Sequence, residues 1–169
     1  MQFLTHGECV EWARGRKFPL SETQPTWITL QREFPTPPFH LILIKFPKDS
    51  GKKVVLAKML YSLFEESANV LIWIEGTEIW PSSQHMPLLQ RLRESLGEKR
   101  PIDKTPGHLV SIKDKDDAVS LILISLLFIW DCHILAESGQ EAVHISHDEF
   151  AWFASHDPKL AEKVRLGFK

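Results

Sequence analysis

Histidine and aspartate side chains recur at alternate positions in the C-terminal third of the chain. The dipeptide Ser138-Gly139 is a turn signal and predicts a hairpin with a two-residue loop, which places His133 opposite His144. Side chains alternate between the two faces of a strand, so Asp131 shares a face with both histidines. Directly opposed residues have Cβ atoms about 4.5 to 5.5 Å apart. We therefore expect these side chains to cluster, with His147 just past the strand end.

Imidazole and carboxylate groups at this spacing suit two kinds of chemistry. One is coordination of a divalent metal ion through imidazole nitrogens, and the other is acid–base catalysis near neutral pH. The candidate catalytic residues are Asp131, His133, His144 and His147, and the candidate metal ligands are His133 and His144. The simpler interpretation is the solvated face of an amphipathic hairpin, because opposed histidines need no function. On that interpretation we expect neither a metal ion nor another cofactor.

Two short motifs resemble catalytic signatures without satisfying them. Ser146-His147-Asp148-Glu149 holds serine, histidine and aspartate side by side, whereas catalytic triads assemble from distant positions. The same residues match a helix capping box and predict a helix that runs to about Phe153. The stretch 49–53 follows a predicted strand and opens a helix, but it departs from the phosphate-loop pattern at two positions.

A loop around Trp80 is the predicted binding surface. Tryptophan beside proline and two serines indicates partial exposure, and an exposed tryptophan can anchor a protein contact or close the edge of the core. Arg91 and Arg93, which follow the loop, would form its polar rim or simply lie on the solvent-exposed side of a helix. The predicted surface consists of Trp80, Ser82, Ser83, His85 and Arg91.

The elements that would position these residues begin with two apolar runs. The runs 39–46 and 70–74 are typical of strands covered on both faces. Apolar residues at helical spacing predict a helix over 51–66 between them. A strand, a helix and a strand at this length predict a right-handed crossover and a parallel pair. The apolar run 118–130 predicts a fully buried helix.

Further helices are predicted over 7–16, over 87–96 and from Pro158 onward, with Asp157 as the N-cap of the last one. The predicted fold class is therefore α+β or α/β. It comprises a mixed sheet with a βαβ unit, a buried central helix and a C-terminal β-hairpin followed by helices. The length of 169 residues predicts one domain over 1–169, in which 18–38 form a proline-rich wrapped arm.

Composition and charge narrow the classes of partner. The net charge is -2 and the isoelectric point is about 6.4, without the basic stripe that nucleic-acid binders show. The longest apolar run is shorter than the roughly 20 residues of a spanning helix, so we expect no membrane segment. Two distant cysteines and no leader-like N-terminus predict a cytoplasmic protein.

Motifs distributed over residues 40–150 resemble a family of uncharacterised bacterial proteins. They are Trp80-Pro81-Ser82-Ser83, Arg91-Leu92-Arg93, Pro106-Gly107-His108, Trp130-Asp131 and Ser146-His147-Asp148-Glu149. The resemblance implies a bacterial cytoplasmic protein and supplies no catalytic residue. The sequence thus favours a non-enzymatic protein-binding module of the immunity-protein kind. The alternative is a metal-dependent or acid–base hydrolase that uses Asp131, His133 and His144.

Overall fold

The computed structural model describes residues 1–20, 39–78 and 81–167. In these ranges the chain forms seven strands and five α-helices around one sheet. In chain order they are β1 (Gln2–Leu4), α1 (His6–Gly15), β2 (His40–Lys45), α2 (Ser50–Ser62), β3 (Asn69–Glu75), α3 (Met86–Ser95), β4 (Gly107–Ser111), α4 (Lys115–Phe128), β5 (Asp131–Ala136), β6 (Glu141–Ser146), β7 (Phe150–Ser155) and α5 (Pro158–Gly167).

The strands lie in the order β1-β4-β3-β5-β6-β7-β2. All six neighbouring pairs are antiparallel. Strands β5, β6 and β7 follow one another through tight turns and form a meander in the middle of the sheet. The α+β class predicted from the sequence is confirmed.

The predicted parallel pair is wrong. Strand β2 lies at one end of the sheet and pairs with β7, whereas β3 lies near the middle between β4 and β5. Helix α2 joins them without making them neighbours, because three strands that come later in the chain occupy the space between. A continuous apolar run indicates that both faces are covered, and it does not reveal the direction of the adjacent strand.

Each face of the sheet carries its own hydrophobic core. On one face, helices α4 and α5 contact the strands and α2 packs on α4, which gives the larger core. On the other face, α1 covers a smaller core that includes Cys9, Leu71 and Trp73. The helix predicted over 118–130 corresponds to α4, whose residues Ala118, Leu121 and Leu126 are fully inaccessible. The prediction that it is buried on all sides is wrong, because Leu127 is 37% exposed.

Local signals predicted the hairpin and most helices correctly. The β5–β6 register is the predicted one, with His133 opposite His144. The helix expected after Ser146 is instead the strand β7, and the four residues of the capping-box motif form the β6–β7 turn. Neither β4, which lies between the helices predicted over 87–96 and 118–130, nor the three-residue β1 was predicted. The proline-rich arm predicted over 18–38 lies outside the described residues from residue 21 onward.

Candidate functional site

One end of the sheet brings together acidic and basic side chains from three central strands. Strand β3 ends at Glu75, which pairs with Asp131 at the start of β5. Strand β6 ends at Ser146, and His147 follows it in the turn to β7. Because neighbouring antiparallel strands run in opposite directions, the last residues of β3, the first residues of β5 and the last residues of β6 lie at the same end of the sheet.

The Asp131 carboxylate contacts both the backbone N–H and the ring of His147. Its Oδ1 accepts a hydrogen bond from the His147 backbone N–H at 2.9 Å, and the His147 ring Nδ1 lies 3.0 Å from Oδ1 and 2.9 Å from Oδ2. The Asp131 side chain is 7% exposed and that of His147 is 46% exposed. With Nδ1 donating to the carboxylate, the ring nitrogen Nε2 is left as a proton acceptor. The hydrogen bond to Asp131 raises the pKa of His147.

Gly76 makes room for this carboxylate. Its φ of +60° lies in the left-handed region, and a Cβ added there would stand 2.6 Å from Asp131 Oδ2. Both the backbone conformation and the close approach therefore require glycine at this position.

The two opposed histidines lie behind Asp131, inside the protein. The rings of His133 and His144 stack with their centroids 4.7 Å apart and their planes 21° apart. His144 Nε2 lies 4.0 Å from Asp131 Oδ1, and His133 Nε2 lies 3.9 Å from Glu75 Oε2. Burial lowers the pKa of both histidines, so the neutral forms are favoured. The interpretation as a solvated hairpin face is wrong, because His133 is fully buried and Asp131 is nearly so.

Glu75 is a carboxyl group that favours its protonated form. Burial and, second, the charge of Asp131 raise its pKa to about 8. His6, at the start of α1, places Nδ1 at 3.4 Å from Glu75 Oε1, and burial lowers the pKa of His6. Both line a cavity of about 250 Å³ together with the Gly76–Glu78 turn and the loop that carries Asp103.

The arrangement supplies a proton acceptor and a proton donor on opposite sides of Asp131. His147 can take a proton through Nε2, and protonated Glu75 can give one. Metal coordination has less support, since the described residues contain no group of three or more His, Cys, Asp or Glu side chains that could hold an ion.

A larger cavity lies away from this cluster. Its volume is about 740 Å³, and it opens between the end of α2, the β5–β6 turn and α5. Of its acidic lining, Glu65 pairs with Lys115 and Glu137 pairs with Arg16. We place the candidate site beside the smaller cavity, because Glu75 lines it and pairs across β3 and β5 with Asp131, the partner of His147.

The described residues of the predicted binding surface lie before and on α3. Ser82, Ser83 and His85 lie in a short 3₁₀ segment before α3, and Arg91 lies on α3 with 83% of its side chain exposed. Trp80 lies outside the described residues. The structure brings the side chains of Asp131, His133, His144 and His147 together as expected.

Sequence reasoning missed Glu75 and His6. Glu75 ends an apolar strand and precedes a glycine, which is an ordinary pattern for a strand terminus. Its proximity to Asp131 depends on the β3–β5 pairing, for which the sequence carries no local signal. His6 was read only as part of the N-terminal segment.

No family model, no curated protein and no solved structure matches the chain. Within the ranges that the structure describes, none of the helices has the length and apolar character needed to span a bilayer.

Proposed function

We propose that this chain is a hydrolytic enzyme in which His147 is the general base and Asp131 orients it. The observation that carries the proposal is the contact between the buried Asp131 carboxylate and Nδ1 of the half-exposed His147. A base held by a buried carboxylate through one ring nitrogen is the arrangement that general-base catalysis requires. The other ring nitrogen, Nε2, lies 3.8 Å from Asp148 Oδ1, beyond hydrogen-bonding distance.

Water is the nucleophile in this proposal. In the described parts of the chain, no hydroxyl or thiol group hydrogen-bonds the His147 ring. Cys9 and Cys132 are buried, and burial raises the pKa of both thiols, that of Cys132 to about 12. A thiolate nucleophile is therefore disfavoured near neutral pH.

The reaction would proceed by proton transfer at both ends. His147 Nε2 removes a proton from water as the oxygen attacks a carbonyl or phosphoryl centre, and Asp131 stabilises the imidazolium that forms. The bond to the leaving group breaks, and the leaving group receives a proton from Glu75. His147 then returns its proton through solvent to Glu75, and both groups regain their starting states.

The test is hydrolysis of p-nitrophenyl acetate and p-nitrophenyl phosphate by the purified chain. We expect turnover of one of these esters, reduced about 100-fold or more in His147→Ala, since a general base contributes about 10² to 10⁴. Asp131→Asn keeps the acceptor for the His147 backbone amide but not the charge, so it should lower both the rate and the His147 pKa measured by NMR.

His40→Ala removes an exposed histidine from a distant strand and serves as the matched control. Equal rates for the wild type and His147→Ala would contradict the proposal. So would the absence of hydrolysis of both esters by the folded wild-type chain.

A second proposal, the protein-binding module, is favoured by the exposed apolar side chains near Arg91. Leu88 on α3 is 54% exposed, and one turn earlier the ring of His85 stacks on Phe128 at 4.1 Å. Exposed apolar and aromatic groups beside an arginine are typical of interface centres. An immunity-protein role, in which the chain neutralises a partner enzyme, belongs to this proposal.

Immobilised chain should retain a partner from bacterial lysate, and Leu88→Asp should abolish that retention. Val55→Asp is the control, because Val55 on α2 is equally exposed at 55%. Equal retention by the wild type and Leu88→Asp would contradict this second proposal. Under both proposals the protein works in the bacterial cytoplasm, a location supported by the two buried free cysteines.

A further inference from the structure

Strand β2 presents an outer edge on the side away from β7. No strand in the described ranges pairs with that edge. The backbone N–H of Phe46 donates to the Glu149 carbonyl at 3.0 Å, on the β7 side. Backbone groups of successive residues point alternately to the two sides of a strand. The N–H and C=O groups of Leu41, Leu43 and Lys45 therefore point outward from the sheet.

The side chains of β2 do not protect this edge. Natural proteins shield sheet edges with short strands, prolines or charged residues along the strand. Strand β1, at the opposite edge, has only three residues, whereas β2 has six. Within the apolar centre of β2, Leu43 is 47% exposed beside Trp152, and the lysine Lys45 stands at the strand's end.

We propose that β2 pairs antiparallel with β2 of a second copy of this chain and forms a continuous sheet across a twofold axis. An axis perpendicular to the sheet at Ile42 places Ile42 opposite its own copy and Leu41 opposite Leu43. Apolar side chains then meet at the centre of the seam, Ile42 on one face and Leu41 with Leu43 on the other, whereas His40 stands opposite Ile44. This inference is independent of the proposed function.

Charge and layer packing favour a second copy as the occupant. In this register Lys45 stands opposite Phe39, so the two lysines are six residues apart, or about 20 Å at 3.4 Å per residue. That separation exceeds the screening length of about 8 Å at physiological salt. The twofold axis also keeps α5, which packs beside β2, on the same face in both copies.

The experiment measures the mass of the full chain by light scattering and sedimentation at about 1 to 200 μM. We expect twice the 19.5 kDa of one chain at the upper concentrations. Leu43→Lys places a second charge at the centre of the edge and should shift dissociation to at least tenfold higher concentration. Ile112→Lys is the matched control, since Ile112 is 55% exposed and follows β4, far from β2 in the strand order.

Hydrogen exchange distinguishes edge pairing from another mode of association. In the dimer the outward amides of Leu41 and Lys45 should exchange slowly, and in Leu43→Lys they should exchange quickly. A monomer at every concentration would overturn the proposal, and the edge would then be open to a different partner. A dimer that Leu43→Lys leaves unchanged, or a dimer whose edge amides exchange freely, would overturn it as well.

Discussion

Glu75 is a carboxyl group with 13% of its side chain exposed, and its partner on the neighbouring strand, Asp131, is a second carboxyl group. Two carboxyl groups in one poorly solvated place do not both ionise readily. In this protein Glu75 retains the proton, because burial and, second, the charge of Asp131 raise its pKa to about 8. His6 and His133 face it from α1 and β5, and burial lowers the pKa of both. The cluster is therefore mostly neutral on its inner side.

The pH dependence of stability follows from the raised pKa of Glu75. The folded state binds the Glu75 proton more tightly than the unfolded state, whose pKa is 4.5. This contribution to stability is complete below about pH 4.5 and is lost as the pH rises through 8. Its magnitude is up to about 5 kcal/mol, at 1.36 kcal/mol per pKa unit.

Glu75→Gln cannot ionise, so the free energy of unfolding should fall less between pH 5 and 9 than it does in the wild type. Urea unfolding at pH 5, 7 and 9 measures this difference, and Glu11→Gln on the exposed side of α1 is the control. Parallel pH curves for the wild type and Glu75→Gln would show that Glu75 ionises normally.

At the scale of elements, a single arginine fixes the loop after α3. Arg93 is fully buried although it lies only two residues from the exposed Arg91. Its Nη1 donates to the Arg100 carbonyl at 2.9 Å, and its Nη2 donates to the Thr105 carbonyl at 2.7 Å and hydroxyl at 2.6 Å. These bonds hold the loop that leads into β4.

Arg93→Met keeps most of the side-chain volume but leaves two buried acceptors on Thr105 without their donor. We expect a loss of about 3 kcal/mol in the free energy of unfolding, because each unsatisfied buried group costs about 1 to 3 kcal/mol. Arg91→Met, on the same helix, should change stability by less than about 0.5 kcal/mol. Similar urea midpoints for the two variants would contradict the role of Arg93.

At the scale of the whole molecule, the antiparallel sheet decides which distant residues meet. Three central strands bring Glu75, Asp131 and Ser146 to the same end of the sheet, and Ser146 directly precedes His147. His6, the first residue of α1, adds its ring to this end of the sheet beside Glu75. The smaller cavity is lined by His6, by the end of β3 and by the loop that precedes β4, and His6 lies more than 60 residues from the other two segments.

The sequence alone determined a fold of the α+β or α/β class, the presence of the apolar helix α4 and the β5–β6 hairpin with His133 opposite His144. These features follow from local patterns, since an apolar run or a turn dipeptide acts within a few residues. The β7 strand was mistaken for a helix because its apolar residues suit either period and a capping-box motif precedes them.

Only the tertiary structure decided the strand order, the burial of the histidine pair and the proximity of Glu75 and His6 to Asp131. Pairing between distant strands depends on how the two faces of the sheet are filled, and many orders satisfy the same local patterns. The chemistry of His147 has the same origin, because its carboxylate partner lies 16 residues away on another strand.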